Sequence, residues 1–178
     1  MTVLPQVRQF IESRDHRLMR RVNAWSAPMW VRMWMIAATR SGDGWLWYAM
    51  ALALAIFGDQ DRFRAIGAAS AAAGVGIVLF LWLKRFAARR RPCHIQAHCW
   101  ATLLPPDQFS FPSGHTITAF SICVAVGGFY PGLMPVLSFF ALSIGISRIV
   151  LGMHFLSDVV AGAAIGATLG HGFYVLMR

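Results

Sequence analysis

The chain has 178 residues, 57% of them hydrophobic and only 13% charged, and its mean hydropathy is +0.57. That profile excludes an ordinary soluble domain and points to one compact bundle of membrane helices. The net charge is +9, from 16 Lys and Arg against 7 Asp and Glu. The basic residues are not interleaved with exposed aromatics on a polar domain, which argues against a nucleic-acid partner. Membrane topology or an anionic ligand remains to explain them.

The first twenty residues, MTVLPQVRQFIESRDHRLMR, are polar and basic, and no apolar run follows them directly, so no cleavable signal peptide is expected. Residues 22–40 mix Trp25, Trp30 and Trp34 with Arg32. Trp and Arg together suit an amphipathic helix lying in the interface. The alternative is a sixth span, with Arg32 near mid-depth at a cost of about 2.5–3.5 kcal/mol. Five apolar segments follow, at 44–58, 65–83, 115–130, 133–151 and 156–176. They lack alternation and are rich in Gly and Ala, so they read as helices, the first and third short for a bilayer. The expected fold is therefore an all-α polytopic membrane bundle of five, or with 22–40 six, transmembrane helices. Residues 1–43 form a basic segment with the amphipathic helix, and 44–178 form the transmembrane domain. Gly162, Gly166 and Gly170 make a small-residue stripe for close helix packing; whether it packs within one chain or between two is open, as is the oligomeric state.

One long polar connection, residues 84–114, stands out among short loops, and such loops are usually functional. Cys123 lies in an apolar segment and reads as a small buried hydrophobe. Cys93 and Cys99 share the long loop and would pair only in an oxidising compartment. With His94 and His98 they could also be drawn as a metal site; a polar loop that covers substrate or holds a disulfide is the plainer reading.

The chemistry gathers where helices meet water. Lys84 and Arg91 follow one span, Ser113, Gly114 and His115 precede the next, Arg148 closes another, and His154 and Asp158 open the last. In an alternating bundle these groups fall on one side of the membrane. Three cations in a pocket with apolar walls repel one another unless an anion binds, and a phosphate suits two Arg forks and a Lys point charge. The turn PSGH adds backbone N–H groups at a helix start, and Gly114 permits close approach. His154 and Asp158, four residues apart, share a helix face, and a carboxylate beside an imidazole prepares it as nucleophile or base. His115 supplies a second imidazole, so attack and leaving-group protonation can be divided. Asp43, in SGDG, could reach the pocket rim, although a turn with a helix cap is the simpler account.

Taken in order, KRFAARRRP, PSGH and SRIVLGMHFLSD read as K-x6-R-P, PSGH and S-R-x5-H-x3-D. They resemble the three-part signature of the type 2 phosphatidic acid phosphatase family, the lipid phosphate phosphatases. The resemblance covers residues 84–158, with none of its named positions altered. It implies that Lys84, Arg91, Ser113, Gly114 and Arg148 bind phosphate, that His154 attacks phosphorus to form a phosphohistidine, and that Asp158 orients His154. It further implies that His115 protonates the leaving alkoxide and then assists water, and that neither metal nor cofactor is required. The expected partners are the bilayer and a lipid phosphate or diphosphate such as phosphatidic acid, phosphatidylglycerol phosphate or undecaprenyl diphosphate. A lipid phosphotransferase with the same site is the first alternative, and a non-catalytic transporter or binding protein the second. The expected location is the bacterial inner membrane. The positive-inside rule and the outward pocket usual in bacterial relatives conflict there, and a periplasmic site is favoured.

Overall fold

The structure, a computed structural model, describes residues 3–95 and 108–178. In chain order the helices are α1 Val3–Asn23, α2 Met29–Ser41, α3 Trp45–Phe57, α4 Arg62–Ala87, the single turn α5 Pro92–Ile95, α6 Gly114–Phe129, α7 Met134–Val150 and α8 Leu156–Met177. A 3-10 turn over Pro131–Leu133 leads into α7. The five apolar segments read from sequence become α3, α4, α6, α7 and α8. Among the described residues, three helical stretches are long and apolar enough to cross a bilayer, Arg62–Ala87, Pro131–Val150 and Leu156–Met177, while α3 and α6 are shorter apolar helices.

Residues 22–40 do not form one element. The chain breaks between Asn23 and Met29, and α2 has 13 residues, about 20 Å at the helical rise. It lies against α7: Met35 is buried with Val150 and Leu151 at the pocket end, and Trp34 stacks on Phe139 nearer the start of that helix. Helix α1, before the break, is polar and ends in Arg20 and Arg21.

Helix α6 is the hub, packed by α8, α4 and α7. Its inward residues are small or compact, Ala119, Ile122, Cys123, Ala125 and Val126, and they meet Ala68 and Ala69 of α4 and Leu137, Ala141 and Ile144 of α7. Many large apolar side chains instead face outward, among them Leu52, Val78, Leu81, Val136 and Val160. That inversion suits lipid, where large hydrophobes gain nothing by facing inward and small residues let helices close up. The glycine stripe acts within this chain. A side chain at Gly162, Gly166 or Gly170 would collide with the carbonyl oxygens of Ser113, Ile117 or Ser121 on α6. The start of α8 is thereby held against the start of α6.

Candidate active site

The site forms at one end of the bundle because helix ends converge there. Helix α4 stops at Ala88, whose φ of 43° lies in the left-handed region and turns the chain back over the bundle. Residues 108–110 then run antiparallel to Arg89–Arg91. Ser110 N–H donates to the Arg89 carbonyl at 2.7 Å, and Arg91 N–H to that of Gln108 at 3.2 Å. Between α7 and α8 the Arg148 carbonyl accepts from both Met153 and His154 N–H at 3.0 Å, and Gly152 at φ 68° makes the turn. Cys93 N–H donates to the Gly152 carbonyl at 3.1 Å, tying the long loop to this turn.

The converging ends enclose a pocket of about 380 Å³ that includes Lys84, Arg91, Gly114, His115, Arg148 and His154 among its lining residues. Six of the eight residues expected at the site therefore share one cavity. Its three cations are deeply set, with Lys84 9%, Arg91 3% and Arg148 5% exposed. Each is steered by a neighbour. The Lys84 ammonium sits over the Phe80 ring at 4.6 Å. Arg148 donates to the Thr39 hydroxyl of α2 at 2.5 Å, and Arg91 to the Met153 carbonyl at 3.0 Å. Concentrated positive charge with so little water about it favours an anion in the cavity. Gly114 matters here: a Cβ would sit 3.3 Å from the Phe80 ring carbons, so its lack of one lets the ring that supports Lys84 lie against the start of α6.

The hydrogen bonds decide the tautomer of His154. Its Nδ1 is 2.6 Å from the Ser110 carbonyl oxygen, which can only accept, so Nδ1 carries the proton. Nε2 is 3.2 Å from Arg91 Nη1, which can only donate, so Nε2 presents its lone pair. Burial, reinforced by Arg148 and Arg91 and opposed by Asp158, pushes the His154 pKa down to about 4. At neutral pH the ring is an uncharged base whose unprotonated Nε2 accepts from Arg91.

Asp158 is placed differently from expectation. Its Oδ2 is 3.8 Å from His154 Nδ1, beyond a hydrogen bond, and accepts instead from Phe155 N–H at 2.8 Å as the first-turn cap of α8. Its Oδ1 accepts from Arg89 at 2.7 Å. The Ser110 carbonyl is the direct partner of the ring, and Asp158 acts from behind by holding the turn and the field. Ser113 also stands outside the cavity, fully buried, with its hydroxyl 2.8 Å from that of Thr116. It contributes the chain's entry into α6.

His115 opens α6, and its Nε2 lies 2.8 Å from Asp43 Oδ1. The helix-cap account of Asp43 does not hold, since Gly44 is the N-cap of α3 and makes no side-chain cap. Past Asp43 the pocket meets an apolar groove of about 420 Å³ between α3 and α4, lined by residues including Met50, Ile66, Ala73 and Ile122. Pocket and groove share Gly42, Asp43, Ile77 and Thr118.

Four contributors were not singled out from sequence. Arg89, inside the basic run, bonds Asp158, Ser157 (2.7 Å) and Asp15 of α1 (2.8 Å). Asp15, a lone buried acid in a basic helix, also receives the Ser157 hydroxyl and its backbone N–H. An acidic residue flanked by five arginines was the available signal for this clamp. Thr39 and the Ser110 carbonyl carry no such signal. His98 and Cys99 lie outside the described residues, so the loop pairing and the drawn metal site do too.

The chain is similar over part of its length to known phosphatases. Over 88 residues the chain is 35% identical to the decaprenylphosphoryl-5-phosphoribose phosphatase of Mycobacterium tuberculosis, covering 49% of this chain and 48% of that protein. Over 98 residues it is 34% identical to phosphatidylglycerophosphatase B of Bacillus subtilis, covering 49% of this chain and 45% of that one. The chain thus spans about half the length of these curated relatives. The crystal structure of Aquifex aeolicus LpxE superposes with a TM-score of 0.74 at 28% identity, covering 88% of this chain and 92% of that one. The PAP2 superfamily model matches residues 45–178, from the start of α3 to the end of α8, so this helical membrane protein belongs to the PAP2 superfamily.

Proposed function

We propose that the protein is an integral membrane lipid phosphatase that removes the terminal phosphate of a lipid phosphate or diphosphate through a phosphohistidine. The observation that carries this is the lone-pair nitrogen of a buried neutral His154, beside Arg91 and facing a three-cation pocket that opens into an apolar groove. Lys84, Arg91 and Arg148 hold the phosphate oxygens, helped by the start of α6 at Gly114. His154 Nε2 attacks phosphorus, Ser110 and Asp158 steady the ring, and His115 protonates the departing oxygen, then activates water. The tail lies in the groove between α3 and α4 while the phosphate stays at the interface. The names of the relatives suggest decaprenylphosphoryl-5-phosphoribose and phosphatidylglycerol phosphate as substrates to try first.

The test is phosphate release by purified protein from a panel of lipid phosphates in detergent. We expect His154→Ala and His115→Ala to abolish or cripple release. A His154→Ala protein that keeps its full rate would return the chain to the transporter or binding class. Release without an added lipid acceptor argues against a phosphotransferase, and rates unchanged in EDTA are expected of a metal-free site.

We also place the pocket at the periplasmic face of the bacterial inner membrane. The basic residues of α1 lie more than twenty positions before α3, outside the window that sets orientation. Setting aside Lys84, Arg89, Arg91 and Arg148, which serve the site, Arg32, Arg40, Arg85 and Arg90 remain on this face against Arg62, Arg64 and Arg178 on the other. The bias is then slight, and the placement follows the outward pocket that the family resemblance implies for bacterial members. Labelling of Cys93 by an impermeant thiol reagent only after permeabilisation would overturn it.

A further inference from the structure

We infer that Asp43 is a positioning residue for the leaving-group acid, acting through His115; this deepens the proposed reaction and rests on it. Asp43 lies just before the segment 45–178 that the family model covers. Three observations converge on it. Its Oδ1 is 2.8 Å from His115 Nε2, an ion pair if the ring is charged. Among the described residues its side chain caps no helix, since α3 begins without a side-chain cap, and that side chain is 61% exposed. It also stands where the phosphate pocket and the apolar groove meet. In any lipid phosphate that junction is where the bridging oxygen sits, with phosphorus on one side and the tail on the other.

The task at that oxygen is defined by the bonds. As the His154 Nε2–P bond forms and the P–O bond to the lipid breaks, the departing oxygen takes the Nδ1 proton of His115 while Nε2–H stays hydrogen-bonded to Asp43, giving a neutral imidazole and a lipid alcohol. Asp43 stays ionised throughout. It offsets the charge of the protonated ring among Arg91 and Arg148, and it aims the ring at the junction. A leaving group that departs readily as an anion has little need of that proton.

The experiment compares dioctanoyl phosphatidic acid, with an alkyl leaving group, and p-nitrophenyl phosphate, with an aryl one, in the same detergent. The readout is kcat/KM, which covers only the first transfer. For Asp43→Asn we expect a loss of roughly 10- to 100-fold on the alkyl substrate and less than about threefold on the aryl one, with Asp43→Glu recovering most of the loss. Equal losses on both substrates, or no loss on either, overturn the inference. His115→Asn is the control that separates the two layers. If His115→Asn is selective for the alkyl substrate and Asp43→Asn is not, Asp43 is dismissed and the reaction stands. If His115→Asn affects both substrates alike, its role as acid falls and the inference falls with it.

Discussion

At His154 the protein keeps an ionisable ring buried and neutral, and this has consequences for rate and for stability. Under the proposed reaction, replacing it with Ala removes the proposed nucleophile, and the expected loss is at least roughly a thousandfold in kcat, read as phosphate release. The stability consequence follows from its depressed pKa. Unfolded chains bind a proton at His154 below about 6.5, whereas the native ring resists until about 4. Between those values the unfolded state holds more protons, so stability from this group is full above pH 6.5 and is lost as pH falls towards 4. The gap corresponds to about 3 kcal/mol. Thermal unfolding in detergent across pH 4–7 should therefore lose part of its slope in His154→Gln. An unchanged slope would mean that the ring already binds its proton in the native state.

At the level of elements, Arg89 and the α6–α8 contact organise the site. Arg89 bridges two carboxylates that are nearly or fully buried, Asp15 of α1 and Asp158 of α8. Removing one partner of a buried pair leaves uncompensated charge, so Arg89→Ala should destabilise by about 3–5 kcal/mol. Arg64→Ala, which loses only the exposed pair with Asp61, should change stability by less than about 1 kcal/mol. Helix α8 offers a second contrast. Gly166→Ala drives a methyl into the α6 backbone and should cost about 1–3 kcal/mol. Gly172→Ala meets nothing within 4 Å and should be neutral or gain up to about 1 kcal/mol. Midpoints of unfolding for the four variants, measured in one detergent, check both contrasts.

For the whole molecule, helix α1 joins the bundle to its surroundings. Asp15 and Met19 turn inward, while Val7, Phe10 and Ile11 are exposed apolar residues and Arg14, Arg17, Arg20 and Arg21 remain exposed cations. Such a helix suits the headgroup region beside the pocket. Changing Arg17 and Arg21 to Gln should weaken binding of the isolated α1 peptide to anionic vesicles by about 1 kcal/mol per residue. In the full-length protein the same changes should leave activity in neutral detergent unchanged. Equal binding of variant and parent to anionic vesicles would place α1 away from the surface.

What the sequence determined by itself was the set of apolar helices and the residues of the pocket. Both follow from local pattern: runs of apolar residues long enough for lipid, and charges set at the ends of those runs. The positions of Lys84, Arg91, His115, Arg148 and His154 could be read this way because the ends of alternating spans must share a face. Tertiary structure alone decided the partnerships between them. Which acceptor holds His154 depends on where residues 108–110 fold back, and a backbone carbonyl leaves no mark in sequence. Asp15 and Arg89 are 74 positions apart, and Asp43 and His115 are 72. Such pairs are joined by packing of α1 and α3 onto the bundle, which no local periodicity encodes.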